Sequence, residues 1–347
     1  MMSIRQEIEG LEQVSLSPHA VCAVNSKGRE IPEEPDTLRT CFMRDRDRII
    51  HSKSFRRLKH KTQVFISPGN DHYRTRLTHT LEVNQISQTI GRALRLNLDL
   101  VEAIALGHDV GHTPFAHTGE EVLDQLLPGG FRHNENSVRV LTRIEQGRTG
   151  PGLNLTWEVL DGVLHHSGYG RKENACQTLE GQVVRFADKI AYVQHDIDDS
   201  MRAGALHIND IPQKYLDKLG YSHSERIGSL VLDLVMHSRK NLEKGLRIIG
   251  LSPEMDEALR GLRKFMFENV YKGQYCREQR LGAAHIVEYL YNYYRQRPEK
   301  LSDFYLNIAR TEGVERGVAD YISGMTDNYC ISVFKELVLP RSYIRTE

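Results

Sequence analysis

Between Leu77 and Leu96 apolar residues recur at three- and four-residue intervals. Val83, Ile86, Ile90 and Leu94 form one stripe, the mark of a helix with a single buried face. The same period returns along most of the chain. Its longest run is 179–204, where Val183, Ala187, Ile190, Val193 and Ile197 make the core stripe. Further helical patterns occupy 98–111, 118–127, 131–146, 156–168, 224–246, 252–271, 281–296 and 313–338. The two-residue alternation of a half-buried strand is confined to one candidate hairpin near Val338–Arg345. No repeat or low-complexity segment is visible. Such a chain is expected to be all-α, a helical bundle with additional C-terminal helices.

The ends of this pattern suggest three parts. Residues 1–43 hold the turn-forming clusters SLSPHA, NSKGRE and IPEEPD, and are expected to make a partly extended arm. From Arg44 the run RDRDRIIHSKSFRRLKHKTQVF is charged and helical, and the alternating signs of RDRDR suit a solvated helix face. A core over 44–205 and a helical region over 206–347 packing on it complete the division. Lys plus Arg equals Asp plus Glu, at 46 each, which argues against a dedicated nucleic-acid or membrane-surface protein. The five cysteines are scattered, without a CxxC pair, so neither a disulfide framework nor a thiolate zinc site is expected. With no signal-peptide pattern and no long apolar run, the reading is a cytoplasmic protein.

Against this background Ala105–Glu120, ALGHDVGHTPFAHTGE, stands out, with three histidines, an Asp beside the first and a Glu three positions after the last. Burying so many ionisable groups unpaired would cost several kcal/mol each, and a divalent metal with a polar substrate is the simplest compensation. His79 lies on the inward stripe of the 77–96 helix, His108 and Asp109 end the next, and Asp188 borders the stripe of 179–204. Two imidazoles with two carboxylates suit Mn, Mg, Fe or Co. His117 and Glu120 are three apart at a helix start. There a carboxylate can orient a catalytic imidazole, or can simply cap the helix beside a surface histidine.

His79, His108–Asp109 and Asp188 resemble the H…HD…D signature of the HD-domain phosphohydrolases. The blocks RTRLTHTLEV, HDVGHTPFAHTGE and EGQVVRFADKIAYVQHDIDD are similar to those of the deoxynucleoside triphosphate triphosphohydrolases within that superfamily. Bacterial dGTPases and the mammalian SAM-and-HD-domain enzyme typify the group. The resemblance runs from about Arg44 to Asp199 and continues through VADYISGMTD. It implies one divalent ion per subunit and hydrolysis of a dNTP to deoxynucleoside and inorganic triphosphate. It also implies an acid/base pair in His117 and Glu120, phosphate contact by His112 and a supporting catalytic role for His133.

On the same ground Arg76 and Lys189 would hold phosphate oxygens, although by themselves they read as ordinary surface cations. Gln63, Tyr192 and Asp196 align with sugar- or base-edge contacts, and Arg263 and Tyr271 with a distal phosphate-and-sugar pair. Relatives form homo-oligomers, and a nucleotide activator or single-stranded nucleic acid stays open as a partner. Two other functions also stay open. One is an HD phosphohydrolase acting on a 5′-monophosphate or signalling nucleotide, with His112, His165 and His166 as extra metal ligands. The other is a nucleotide-regulated nucleic-acid-binding protein that uses the basic run Arg56–Lys61.

Overall fold

A computed structural model describes residues 2–63, 74–147, 150–168, 176–271 and 273–340, apart from the side chains of residues 271 and 274–276. Sixteen α-helices form among the described residues. The first nine are α1 (Ile4–Ser15), α2 (Cys41–Ile50), α3 (Lys53–Arg57), α4 (Arg76–Ala93), α5 (Leu98–Gly107), α6 (Ala116–Leu126), α7 (His133–Arg139), α8 (Trp157–His165) and α9 (Leu179–Arg202). There follow α10 (Gln213–Leu219), α11 (His223–Glu243), α12 (Pro253–Met266), α13 (Gln274–Gln296), α14 (Asp303–Glu312), α15 (Val314–Ser323) and α16 (Asp327–Val338). Among the described residues the only sheet is a two-stranded ladder, Gln146–Gly147 against Gly150–Pro151. No helix among them is long and apolar enough to cross a membrane. The fold is all-α.

The helices start where side chains can satisfy their first amides. Thr75 accepts from the amide of Thr78 at α4, Asn97 from that of Leu100 at α5, and Thr178 from that of Gly181 at α9. Helices α4, α5 and α9 pack on one another, with α2 over α5 and α8 against α5 and α9. Their apolar stripes make one core that includes Val83, Ile90, Ile104, Val183 and Ile190, and α11 and α12 close it from the far side. A second core joins Phe115, Leu123 and Phe131 to Val287, Leu290, Val318 and Ile322, so α13 and α15 pack beside α6. The segment from His108 to Glu120 runs between the two cores.

Several elements differ from the sequence reading, some of them through contacts remote in sequence. The first residues are helical, started by a capping box in which Ser3 and Gln6 bond each other's backbone amides. This helix is fastened by a carboxylate: buried Glu12 accepts from the Ala23 amide at 2.6 Å and from Asn97 Nδ2 at 3.0 Å. The RDRDR stretch is no solvated face, because Asp45 is fully buried, ion-paired with Arg29 and bonded to the amide and hydroxyl of Thr156. The charged run breaks into α2, α3 and a 3-10 turn at Leu58–His60. The expected 131–146 helix is α-helical only to Arg139 and widens to a π turn over Val140–Ile144. The 313–338 pattern breaks between Ser323 and Asp327. Val338 ends α16, and the rest of the expected hairpin from residue 341 onward lies outside the described residues.

Glu180 shows what anchoring by buried carboxylates costs. Its Oε1 accepts from the amides of Val21 and Asn97, at 3.0 and 3.1 Å, in a fully buried position. Burial pushes its pKa from 4.5 up to about 7, against the opposing pull of those amides. The folded chain therefore holds a proton that the unfolded chain has lost, and stability falls as pH rises from about 4.5 to about 7. This group contributes roughly 3 kcal/mol to that fall. Glu180→Gln is expected to flatten the stability profile over this interval, measured by denaturant unfolding at stepped pH. A wild-type slope in the variant would refute it.

Candidate active site

The inward face of α4, the C-terminal end of α5 and the middle of α9 bring four predicted ligands together. His79 Nε2 lies 3.1 Å from Asp188 Oδ1 and 3.9 Å from Asp109 Oδ2. His108 Nε2 lies 3.6 Å from Asp109 Oδ1 and 3.9 Å from Asp188 Oδ1. Around one octahedral ion with bonds of about 2.1 Å, neighbouring ligand atoms sit about 3 Å apart and opposite ones about 4.2 Å. The separations fall within that range, although the two imidazoles approach different oxygens of Asp109; His79, His108 and Asp109 make the tightest group, and Asp188 adjoins its imidazoles. His108 donates through Nδ1 to the Ala105 carbonyl at 2.7 Å, which leaves Nε2 a lone pair and no partner among the described residues. A buried acceptor without a partner, facing two carboxylates, suits a divalent cation.

Local sequence shapes this cluster. The chain turns at Gly111, where a Cβ would sit 2.1 Å from the Ser137 amide nitrogen. Ser137 accepts from the Gly111 amide and donates to the His108 carbonyl, so α7 clamps the turn. His79 is held in its own line of contacts. Its Nδ1 is 3.2 Å from His195 Nδ1, and His195 Nε2 is 2.9 Å from Glu82 Oε2. Glu82 is in turn paired with Arg74, which also bonds Asp198 and Asp199. If His79 presents Nε2 to a cation, its Nδ1–H donates to His195, and the Nε2–H of His195 donates to Glu82. Asp188, Tyr192, His195 and Asp199 share one stripe of α9 at helical spacing. That stripe was the only hint of His195 in the sequence.

Beyond the cluster lies a cavity of about 210 Å³. His117, Glu120 and His133 stand on one side of it. Glu120 serves both imidazoles, but His133 more closely: it accepts from His133 Nδ1 and from the His133 amide at 2.8 Å, and from His117 Nδ1 at 3.3 Å. His133 stacks on His112 with ring centroids 4.1 Å apart. Burial works against a charged His133, yet the Glu120 carboxylate outweighs it and raises the pKa. Burial likewise opposes a charged Glu120, but His133 and His117 hold it far below the usual carboxylate range. His112 is driven the other way, to a neutral ring, by burial and then by the Arg76 guanidinium. The pair His117–Glu120 is therefore a triad with His133.

Arg76 is no surface cation. It is 2% exposed, donates from Nη1 to Asp109 Oδ2 at 2.7 Å, and lines the cavity with its Nε lacking a partner among the described residues. Lys189 also lines the cavity, its pKa lowered to about 8 by burial and then by Arg185. Gln63, Tyr192 and exposed Arg263 complete the wall. Asp196 lies fully buried one turn beyond Tyr192, its pKa raised well above the usual range by burial and then by Asp199. The side chain of Tyr271 lies outside the described residues. His166, a lining residue passed over in the sequence except as an extra metal ligand, donates Nδ1 to the Val163 carbonyl and is kept neutral, at about 3, by burial and then His108. His165 turns away to Asp161.

Comparison with known proteins places the site in a wider set. Residues 76–193 match the HD domain, and residues 249–336 match the phosphohydrolase-associated domain. A deoxyguanosinetriphosphate triphosphohydrolase-like protein of Clostridium tetani is 55% identical, covering 99% of this chain and 98% of its own. A protein of the same description from Desulfatibacillum aliphaticivorans is 42% identical over 98% of this chain and 99% of its own. A crystal structure of a hypothetical protein from Aquifex aeolicus superposes with a TM-score of 0.49 at 19% identity, over 86% of this chain and 68% of that one.

The electrostatics of the triad can be measured directly. Glu120→Gln removes the carboxylate that overcomes burial, so His133 should titrate below its ordinary 6.5 rather than above it. Ring-proton chemical shifts followed against pH would show this, and a His133 pKa left above 6.5 would refute the account.

Proposed function

We propose that this chain, which belongs to the deoxyguanosinetriphosphate triphosphohydrolase-like family of HD-domain phosphohydrolases, hydrolyses deoxynucleoside triphosphates to deoxynucleoside and inorganic triphosphate. One observation carries the reading: a cavity lined by His79, Asp109 and Asp188, with His108 behind them, also gathers Arg76, Lys189 and Arg263 beside His112, His117 and His133. A triphosphate brings several negative charges, and a site for it needs cations in number. A monophosphate would need fewer.

His79, His108, Asp109 and Asp188 would hold the divalent ion, of the Mn, Mg, Fe or Co type. Once bound, it supplies Lewis-acid polarisation of a phosphoryl oxygen. Arg76 and Lys189 bind the phosphate oxygens, and Arg263 binds at the outer end. Neutral His112 contributes a ring nitrogen to the same oxygens. Water attacks the α-phosphorus and the 5′-oxygen leaves with the nucleoside. His117 moves the proton at Nε2, the nitrogen left over once Nδ1 faces Glu120. His133 holds Glu120 in its ionised form from the opposite side. At the nucleoside end Tyr192 packs against the sugar, while Gln63 and Asp196 offer hydrogen-bonding groups to its hydroxyl and the base. Gln63 Oε1 lines the cavity, buried and without a hydrogen-bond partner among the described residues, as suits a group awaiting a ligand.

Each dNTP and NTP, incubated singly with metal-loaded protein and followed by chromatography, is expected to give deoxynucleoside and intact triphosphate from deoxynucleotides. Orthophosphate released only from 5′-monophosphates would overturn the substrate. His117→Ala should lower turnover by about 10²- to 10⁴-fold with metal content unchanged, and undiminished turnover would sink its role. His195→Ala should weaken binding of Mn²⁺ alone by about 10- to 100-fold, read by calorimetry. Wild-type affinity in that variant would break the proposed line from Glu82 to His79.

A further inference from the structure

Asp327 lies far from the chemistry in sequence, at the first position of α16 within the region matching the phosphohydrolase-associated domain. It is 5% exposed, and each of its oxygens bonds the chain close to a different lining residue of the cavity. Oδ1 accepts from the Phe115 amide at 3.0 Å, and Oδ2 accepts from the Thr62 amide at 2.9 Å. Phe115 stands two residues before His117, and Thr62 one residue before Gln63.

The turn that Asp327 grips is strained. Phe115 and Ala116 are both left-handed, with φ of 60° and 55°. Residues with a Cβ adopt that region only where their surroundings hold them. Other restraints also act on it, among them the Thr118 amide, which donates to the Phe115 carbonyl at 3.2 Å. Thr113 Oγ1 donates to the Ala116 carbonyl at 2.9 Å, and the Phe115 ring is buried in the second core. Buried Lys61 ties the same regions, donating from Nζ to the carbonyls of His112 and Ser323. Only a carboxylate suits the position of Asp327. Two N–H groups approach it from opposite walls, and an amide in its place would turn an NH₂ toward one of them.

We propose that Asp327 is a positioning residue for hydrolysis, setting His117 and Gln63 relative to each other through the two amides it holds. The C-terminal helices are then part of the framework of the site. The proposal rests on the reading of His117 as the proton-moving group. Because Asp327 touches neither the cavity nor the metal cluster, its removal should leave metal uptake intact while the strained turn relaxes.

Hydrogen–deuterium exchange on the full-length chain tests the tether without reference to activity. In Asp327→Asn and Asp327→Ala, peptides spanning Thr62 and Phe115 should exchange faster, while those of α4, α5 and α9 keep wild-type rates. Unchanged exchange at both amides, or a loss of protection spread evenly over the chain, would overturn the proposal. Asp327→Asn keeps the size of the side chain and serves if the Ala variant does not fold. Kinetically, Asp327→Asn should lower kcat by on the order of 100-fold, with KM and metal content changed far less. In a His117→Ala background the same substitution should lower kcat far less, because only its effect through Gln63 remains. A fully additive loss would assign Asp327 a purely structural role and overturn the proposal. Absence of turnover with every nucleotide would instead defeat the substrate reading, and the exchange result would still decide the tether.

Discussion

The Asp109 carboxylate is the constraint on which the centre of this molecule is built. It is 3% exposed and lies within 4 Å of Arg76 and of three imidazoles, those of His79, His108 and His112. A buried charge with no partner would cost several kcal/mol, so everything around it must supply positive charge or polarisable nitrogen. Burial alone would raise its pKa, yet His108, Arg76 and the neighbouring histidines keep it well below the ordinary value. The helices must therefore deliver cationic and metal-seeking groups to one point. α4 does this twice, with Arg76 in its first turn and His79 one turn later. A helix that presented only its apolar stripe would have made a stable core with no chemistry in it.

The site occupies the seam between two hydrophobic cores, and its position there has a mechanical consequence. One core is built on α4, α5 and α9, and the other joins α6 to α13 and α15. What lies between is short, polar and partly strained, from the clamp at Gly111 to the left-handed pair Phe115–Ala116. Apolar packing is non-directional and cannot fix such a segment to a few tenths of an ångström. Hydrogen bonds can, and the seam is accordingly sewn with them. Ser137, Asn136, Lys61 and Asp327 each reach across it to a backbone group of the 108–117 stretch.

How much of this could be read from the sequence follows from how local each signal is. His79, His108, Asp109 and Asp188 were legible because helical period fixes which side of a helix a residue faces, and all four border apolar stripes. The His117–Glu120 contact was legible for the same reason, at three-residue spacing. Its third member, His133, owes its place to the fold, and nothing in FRHNEN reveals that Glu120 binds it more closely than His117. Arg29 reaches Asp45 across sixteen residues and Thr156 reaches it across 111, so the apparent solvated face of RDRDR was a pattern without its partners. The N-terminal helix was missed for a related reason. Ile4, Leu11 and Val14 are exposed, and the helix buries Glu12 instead, which inverts the usual rule.

The same locality explains why the C-terminal region gave so little of itself away. Its helices carry the ordinary 3.6-residue period, and that period says that they pack but not on what. Among the groups that join its last helices to the site are an aspartate, Asp327, and two backbone carbonyls, those of Ser323 and Gly324, which accept from Lys61 and Arg57. Backbone carbonyls have no sequence signature, and a lone aspartate at the start of a helix reads as a favourable charge on the helix dipole. In the folded chain that aspartate spends both oxygens on amides of another region and is 5% exposed. Taking a carboxylate out of water costs free energy, and here the cost is offset by a demand for two acceptors at once. The demand comes from the opposite wall, where a turn with two left-handed residues has to be held open for His117.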